Sequence, residues 1–374
     1  MLLYLHVPFC PKICPYCSFF KEEMRGAQMA PYVSAVEAEL ENFARRHGAP
    51  KVGTIFFGGG TPTALPTPLL LRLFAAIHKH CDLTALSEWT VEMNPATVSQ
   101  EKAAAMLSHG LTRISMGVQS WNPEILKVLG RVHTAEQAET SVGVLRQAGV
   151  KNLNLDLIFG TPGLALSAWR EDLEKTITLE PEHVSAYCLT YEEDTEFFRL
   201  LQTGRMKRDV EQEAEFFEMT MDVLESAGYQ QYEISNYAKP GFECHHNLGY
   251  WHGQEYLGLG PSAVSRVGKR RWQNVLSTEA YVAGMEIGHA NLAWAEDLTE
   301  DVLEQEAWAF GLRTAQGVPK EAWKTCPEHL EGLTKEGYLE DTEEGRIRLT
   351  RPGRMVADEI ASLLLDTPAS AGAA

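Results

Sequence analysis

The stretch Cys10-Pro-Lys-Ile-Cys14-Pro-Tyr-Cys17 decides the fold, because it places three cysteines directly after the apolar run Leu2–Val7. Soft thiolates are typical ligands of zinc and of iron–sulfur clusters. A structural zinc site is normally closed by a fourth protein ligand. The three-thiolate motif therefore predicts a [4Fe–4S] cluster on Cys10, Cys14 and Cys17 with one iron left open. A zinc knot or a set of buried thiols is the alternative.

Five more apolar runs follow the motif, and each has the composition of a β-strand. Helical patterns separate them, so the chain alternates strand and helix, which predicts an α/β fold with a parallel sheet. Six strands are too few to close an eight-stranded barrel. We therefore expect a six-stranded partial (βα) barrel, TIM-like but open. The five further runs are Thr54–Phe57, Trp89–Met93, Arg113–Val118, Leu153–Phe159 and Val184–Leu189.

Polar and glycine-rich features follow the predicted strands. The cysteine motif follows the first run, and the loop Gly58-Gly59-Gly60-Thr61 follows the second. Glu92 and Asn94 end the third run, Gln119 follows the fourth, and Asp156 lies within the fifth. Parallel α/β folds carry their chemistry at the carboxyl ends of their strands, so we expect these residues to meet at one edge of the sheet.

The alternation of predicted strands and helices ends near residue 197. We predict a partial (βα) barrel domain over residues 1–196, a connecting segment over 197–295, and a winged-helix-like C-terminal domain over 296–367. The connecting segment contains a long helical stretch, Asp209–Ala227, and the C-terminal domain contains a strand pair around Tyr338–Thr350. The small residues of 368–374 predict a disordered tail.

Composition narrows the class of protein. The net charge of −18 argues against a nucleic-acid partner, which normally meets a basic face. Seven cysteines in 374 residues are too few for a disulfide scaffold and fit a reducing compartment. Neither a signal peptide nor an apolar stretch long enough to span a bilayer is recognisable. We expect a cytoplasmic protein without a transmembrane segment.

The cysteine spacing, together with the glycine loop, resembles the radical S-adenosylmethionine (SAM) superfamily. In that superfamily the open iron binds SAM, and an electron from the cluster cleaves SAM to a 5′-deoxyadenosyl radical. The resemblance implies SAM as a cofactor and an electron donor as a partner. Taken position by position, it also implies a set of SAM contacts. Tyr4, six residues before Cys10, is a candidate to cover the SAM side of the cluster, and packing in the core is the alternative for this residue. The implied contacts are Gly59, Gly60, Thr61, Glu92, Gln119, Arg131 and Asp156.

Four segments narrow the resemblance to the oxygen-independent coproporphyrinogen III oxidase group. They are Leu3–Cys10, the glycine loop, Leu153–Gly163 and Tyr256–Pro261. The group contains true oxidases, which decarboxylate a porphyrinogen, and haem chaperones, which carry haem to client proteins. A radical methyltransferase acting on haem is a third possibility that shares fewer residues with this chain.

Three features favour the chaperone branch of the group. Phe19 stands where the oxidase has a further cysteine, and Cys10 lies close to the start of the chain. The segment His246-Asn-Leu-Gly-Tyr-Trp251 matches the H-N-x-x-Y-W motif of the chaperones. Histidine is a common axial ligand of haem iron, so the resemblance implies that His246 contacts haem. It implies a haem carrier rather than a true coproporphyrinogen dehydrogenase.

Overall fold

The computed structural model describes residues 1–288, 291–322 and 327–365. Its main feature is one open sheet of twelve strands. In chain order the strands are β1 (Leu2–Val7), β2 (Thr54–Gly59), β3 (Glu88–Met93), β4 (Arg113–Gln119), β5 (Leu153–Phe159), β6 (His183–Cys188), β7 (Gln230–Glu233), β8 (Asn236–Ala238), β9 (Tyr256–Leu259), β10 (Val264–Val267), β11 (Arg270–Asn274) and β12 (Leu292–Asp297).

The six predicted strands form the centre of the sheet, side by side and in chain order from β1 to β6. All five pairings among them are parallel, which confirms the α/β class. The sheet is larger than these six strands, because β9 adds a parallel strand beside β1. Antiparallel strands then extend both sides, β10 to β12 beyond β9 and β8 with β7 beyond β6.

Helices connect the central strands at the predicted places. They are long enough and apolar enough on one face to cover the sheet, as in the stacking of Phe74 on Trp89 at 4.3 Å between ring centres. The helices are α1 (Gly26–His47), α2 (Thr67–His80), α3 (Gln100–Ser108), α4 (Pro123–Val128), α5 (Ala135–Ala148), α6 (Leu166–Thr178), α7 (Glu196–Gln202), α8 (Val210–Ser226), α9 (His245–Trp251), α10 (Thr278–Glu286), α11 (Glu300–Leu312), α12 (Pro327–Lys335), α13 (Arg351–Met355) and α14 (Ala357–Leu365).

The C-terminal part has an apolar core of its own. Trp308, Leu312, Ile347 and Ile360 belong to one buried cluster, which lies around a small antiparallel sheet of β13 (Val318–Pro319), β14 (Leu339–Asp341) and β15 (Arg346–Leu349). The predicted strand pair is therefore present. The domain boundaries at 196, 295 and 367 stay a prediction, and the predicted tail 368–374 lies outside the described residues.

None of the helices in the described ranges is long and apolar enough to cross a bilayer.

A buried carboxyl group joins α1 to the far side of the sheet. Glu39 is 8% exposed and accepts hydrogen bonds from the Gly260 amide at 2.9 Å, from Asn274 Nδ2 at 2.7 Å and from the Tyr281 hydroxyl. Burial raises its pKa to about 7, although these donors act in the opposite direction. The carboxyl group thus fixes the position of the loop after β9, which lies next to the cavity described below.

We predict a pH-dependent stability difference for Glu39→Gln. The folded-state pKa of Glu39 is raised, so the folded protein holds this proton in a range where the unfolded chain has lost it. The contribution of Glu39 to the free energy of unfolding therefore falls as pH rises from about 4.5 to about 7. The free energy of unfolding of Glu39→Gln minus that of wild type should increase by on the order of 1–3 kcal/mol between pH 5 and pH 7.5. Denaturant titrations at the two pH values measure this difference. A pH-independent difference would contradict the assignment.

Candidate functional site

The cysteine loop lies at the carboxyl end of β1, as predicted. Two backbone hydrogen bonds hold the loop in shape. The Cys17 amide donates to the Cys14 carbonyl at 3.2 Å, and the Met24 amide donates to the Cys10 carbonyl at 2.9 Å. Each of the three thiols is half-buried. Two of them accept hydrogen bonds from outside the loop, Cys10 from the Thr61 hydroxyl at 3.9 Å and Cys14 from Arg131 at 3.7 Å.

The thiols fit a cluster that takes one sulfur on each of three irons. Burial raises the pKa of Cys10 to about 11 and also raises that of Cys17, and an iron ion lowers such values by binding the thiolate. In the described part of the chain, no three Cys, His, Asp or Glu side chains converge as one metal ion requires. A cubane needs a different arrangement, with thiolates spread around a shared space.

A cavity of 1710 Å³ runs along the inner face of the sheet, and all three cysteines line it. Most of the residues predicted to hold SAM line it as well, so the structure brings them together. This volume exceeds the usual 300–1,000 Å³ of a pocket for one small ligand. The predicted residues on its wall are Tyr4, Gly59, Gly60, Glu92, Gln119, Arg131, Asp156 and His246.

The glycine loop closes against the cysteine loop. Gly59 has φ +105°, and a Cβ atom there would lie 2.5 Å from the His6 ring. A Cβ atom on Gly60 would lie 2.8 Å from the Phe9 carbonyl oxygen. Both positions therefore need glycine for steric reasons, and the close approach keeps the backbone of this loop beside the cysteines.

Thr61 lies behind the cavity wall. It is buried, its hydroxyl donates to Cys10, and it accepts from Asn94 Nδ2 at 2.8 Å. Asn94 in turn accepts from Arg131 at 2.5 Å, and Arg131 also donates to the Gly117 carbonyl at 2.7 Å. The chain Thr61–Asn94–Arg131 therefore connects two of the cysteine sulfurs. The sequence drew attention to Asn94 only as a polar residue at a strand end.

Gln119 and Arg131 keep polar atoms free for a ligand. Gln119 has φ +71°, a strained conformation for a residue with a side chain. Its Oε1 and the Nε of Arg131 are buried without a hydrogen-bond partner among the described residues. An unpaired buried polar atom costs about 1–3 kcal/mol, so a bound polar molecule in the cavity would stabilise both side chains.

Two carboxyl groups, Glu92 on β3 and Asp156 on β5, face the cavity from the strands on either side of β4. Burial and the proximity of Asp156 raise the pKa of Glu92 to about 8. Burial also raises the pKa of Asp156, which accepts hydrogen bonds from Asn154 at 2.6 Å and from Ser115 at 3.3 Å. Glu92 is therefore protonated at neutral pH and can donate a hydrogen bond as well as accept one.

Tyr4 forms a hydrogen-bonded pair with His6. His6 Nε2 lies 2.7 Å from the Phe20 carbonyl oxygen, which can only accept, so Nε2 carries the proton. Burial lowers the pKa of His6 to about 4, so its Nδ1 is a free acceptor for the Tyr4 hydroxyl at 3.0 Å. The pair fixes the Tyr4 ring on the cavity wall and holds the segment that follows Cys17.

His246 lies at the opposite end of the cavity from the cysteines. Its Nδ1 is 2.8 Å from the hydroxyl of Thr54, the first residue of β2, and its amide donates to Glu88, the first residue of β3. These contacts place α9 at the amino ends of the strands. Because a strand rises about 3.3 Å per residue, Thr54 lies roughly 16 Å from Gly59 at the other end of β2.

The ring of His246 is neutral and has one free nitrogen. Burial and the nearby Arg113 lower its pKa to about 3. The ring stacks on Phe56 with 5.1 Å between ring centres, and its Nε2 is buried without a partner in the described residues. A neutral imidazole with one unpaired nitrogen is a suitable iron ligand.

Comparison with known proteins gives concordant matches. Residues 4–176 match the Radical SAM superfamily. The chain is 36% identical to the heme chaperone HemW of Bacillus subtilis (strain 168) over 369 residues, or 96% of this chain and 97% of that protein. It is 38% identical to the heme chaperone HemW of Escherichia coli (strain K12) over 266 residues, or 71% and 70% of the two chains.

The solved structure of coproporphyrinogen III oxidase (HemN) from Escherichia coli, described as a radical SAM enzyme, superimposes with a TM-score of 0.83. The identity is 24%, and the match covers 98% of this chain and 90% of that chain. The two proteins therefore share a fold, including the C-terminal part.

We predict that Gly59→Ala weakens SAM binding beside the cluster. The Cβ atom would displace the His6 ring, and the positive φ adds strain, which together cost about 2–4 kcal/mol. The matched control is Gly143→Ala within α5, where a Cβ atom meets nothing within 4 Å.

After anaerobic cluster reconstitution, SAM should change the EPR spectrum of the reduced cluster in wild type and in the control. The change should be reduced or lost in Gly59→Ala. A full response in that variant would show that the glycine loop has no part in ligand binding.

Proposed function

The chain belongs to the HemW family within the radical SAM superfamily, and from that premise we propose that it is a haem chaperone. In this proposal it binds a [4Fe–4S] cluster, SAM and haem, and it delivers the haem to client proteins. The observation that carries the proposal is the single cavity that joins the three cysteines to His246. Its volume is large enough for SAM and a tetrapyrrole together.

Cys10, Cys14 and Cys17 would hold the cluster, with Thr61 and Arg131 as hydrogen-bond donors to the sulfurs. Such donors tune the properties of an iron–sulfur centre. When bound, the cluster supplies an open iron for SAM and a site for one electron. A separate electron donor is therefore part of the proposal, and Lys12 and Lys21 on the same cavity wall offer it positive charge.

SAM would occupy the carboxyl-edge part of the cavity. Gly59 and Gly60 allow close backbone approach, whereas Glu92 and Asp156 face the space where hydroxyl groups would be recognised. The unpaired atoms of Gln119 and Arg131 are available for polar groups of the ligand. In this arrangement the Thr61 hydroxyl, which donates to the Cys10 sulfur, positions that thiolate at the edge of the SAM site.

Haem would occupy the amino-edge part of the cavity, with its iron at His246. The Nε2 of His246 is free, and aromatic side chains lie around it. Phe56 stacks on the His246 ring, and Tyr250 packs against it edge-on at 5.1 Å. Flat aromatic and apolar surfaces of this kind suit a macrocycle.

Oxidation of coproporphyrinogen III is the second candidate, because HemN shares the fold over 98% of this chain. The cysteine expected beyond the third ligand in the oxidase is replaced here by Phe19, which is 66% exposed. This substitution favours the chaperone.

We predict that the reconstituted protein binds haem with a Soret shift that saturates at one haem per chain. His246→Asn should weaken haem binding at least 10-fold, because loss of one ligand bond is worth more than 1.4 kcal/mol. The matched control is His245→Ala, since His245 is exposed and its imidazole lies 3.3 Å from the Ser87 hydroxyl, whereas the hydrogen bond from its amide to Glu88 does not depend on the side chain. Unchanged affinity in His246→Asn would remove His246 from the proposal, and absence of binding in wild type would reject the proposal itself.

We also predict that anaerobic incubation with coproporphyrinogen III, SAM and a reductant gives no decarboxylated porphyrinogen, as judged by chromatography. HemN under identical conditions is the positive control. Formation of product by this chain would establish the oxidase and overturn the chaperone.

A further inference from the structure

Arg113 is a buried cation at the amino edge of the sheet. It is the first residue of β4, is 2% exposed and lines the cavity. Its Nε is buried without a hydrogen-bond partner among the described residues. A guanidinium keeps its charge at physiological pH, and burying an incompletely paired charge is unfavourable. An anion bound in the cavity would offset this cost.

The nearby carboxylates Glu88 and Asp156 form no direct hydrogen bond or ion pair with Arg113 in the described residues, and other donors bind their oxygens. Glu88 accepts the first two amides of α9, at 3.0 and 3.1 Å, and the Cys244 thiol at 3.4 Å. Asp156 accepts from Asn154 and Ser115. Burial lowers the pKa of Arg113, but Glu88 and Asp156, acting through space, are among the groups that raise it above its usual value. They offset part of its charge without forming a hydrogen bond to it. Its hydrogen-bonding fork is thus left for a ligand.

Arg113 and His246 form what we call the amino-edge subsite. Both line the same cavity, and each has a buried nitrogen without a partner in the described residues. They are close enough for the charge of Arg113 to lower the pKa of His246. The subsite therefore combines a neutral imidazole nitrogen, a cation and the flat face of Phe56.

We propose that Arg113 binds a side-chain carboxylate of the tetrapyrrole in the amino-edge subsite. This inference rests on the proposed function, since it concerns the orientation of the haem carried by the protein. Haem has two propionate side chains, and arginine binds carboxylates through two parallel hydrogen bonds. The carboxylate contact determines which edge of the macrocycle lies at Arg113, while the free nitrogen of His246 faces the iron.

The test compares haem with haem dimethyl ester, which retains the iron and the macrocycle but lacks both carboxylates. Affinities are measured by Soret titration of the cluster-loaded full chain in detergent at constant pH. The variants are Arg113→Met, which removes the cation, and Arg113→Lys, which keeps the charge but loses the planar fork. The matched control is Arg266→Met, since Arg266 is 8% exposed, is not on the cavity wall and donates to backbone carbonyls.

Wild type and Arg266→Met should bind haem about 10- to 100-fold more tightly than the ester, which is the range for a charge-assisted hydrogen bond. Arg113→Met should bind both ligands with the affinity that wild type has for the ester, and Arg113→Lys should lie between. Should Arg113→Met fail to fold, wild type and Arg113→Lys still decide the outcome.

Equal affinity of wild type for haem and its ester would overturn the carboxylate contact while leaving the haem chaperone intact. Equal weakening of both ligands in Arg113→Met would assign Arg113 a structural role and also overturn it. Binding of neither ligand by wild type would reject the proposed function together with this inference.

Discussion

The structure depends on a sheet whose inner face is polar. In a closed α/β barrel, branched apolar side chains fill this space; here the inner face has Glu92, Arg113, Ser115, Asn154 and Asp156 around a cavity. Unpaired buried polar atoms are unfavourable, and several line this wall. The sheet is stable because helices cover its outer face with an apolar core, while the inner face is completed by what it binds. This division explains why a well-packed fold retains so large an internal space.

The cavity has two chemically different ends. At the carboxyl edge, glycine-rich loops bring thiols and polar side chains together, as parallel sheets generally do at that edge. At the amino edge, α9 closes the space and presents His246 beside Arg113. The two ends are separated by roughly the length of one strand. The cavity therefore offers chemically different surroundings at its two ends.

Much of the fold and of the carboxyl-edge site could be predicted from the sequence. The six central strands are long and apolar, and strand ends in a parallel sheet must converge, so Cys10, Glu92 and Asp156 could be grouped from spacing alone. The short strands β7 to β10 could not, because four residues or fewer carry no clear period. Nor could the amino-edge contacts, since the bond between Thr54 and His246 joins residues 192 positions apart. For Arg113 the sequence indicates only a lone arginine at the start of an apolar run.

The most direct test of the central claim is iron-edge anomalous diffraction from anaerobic crystals of the chain loaded with cluster, SAM and haem. We predict two separate iron positions in one cavity, the cluster at Cys10, Cys14 and Cys17 and the haem iron at His246, at opposite ends of the central strands. Haem iron outside this cavity, or a fourth protein thiolate on the cluster, would contradict it.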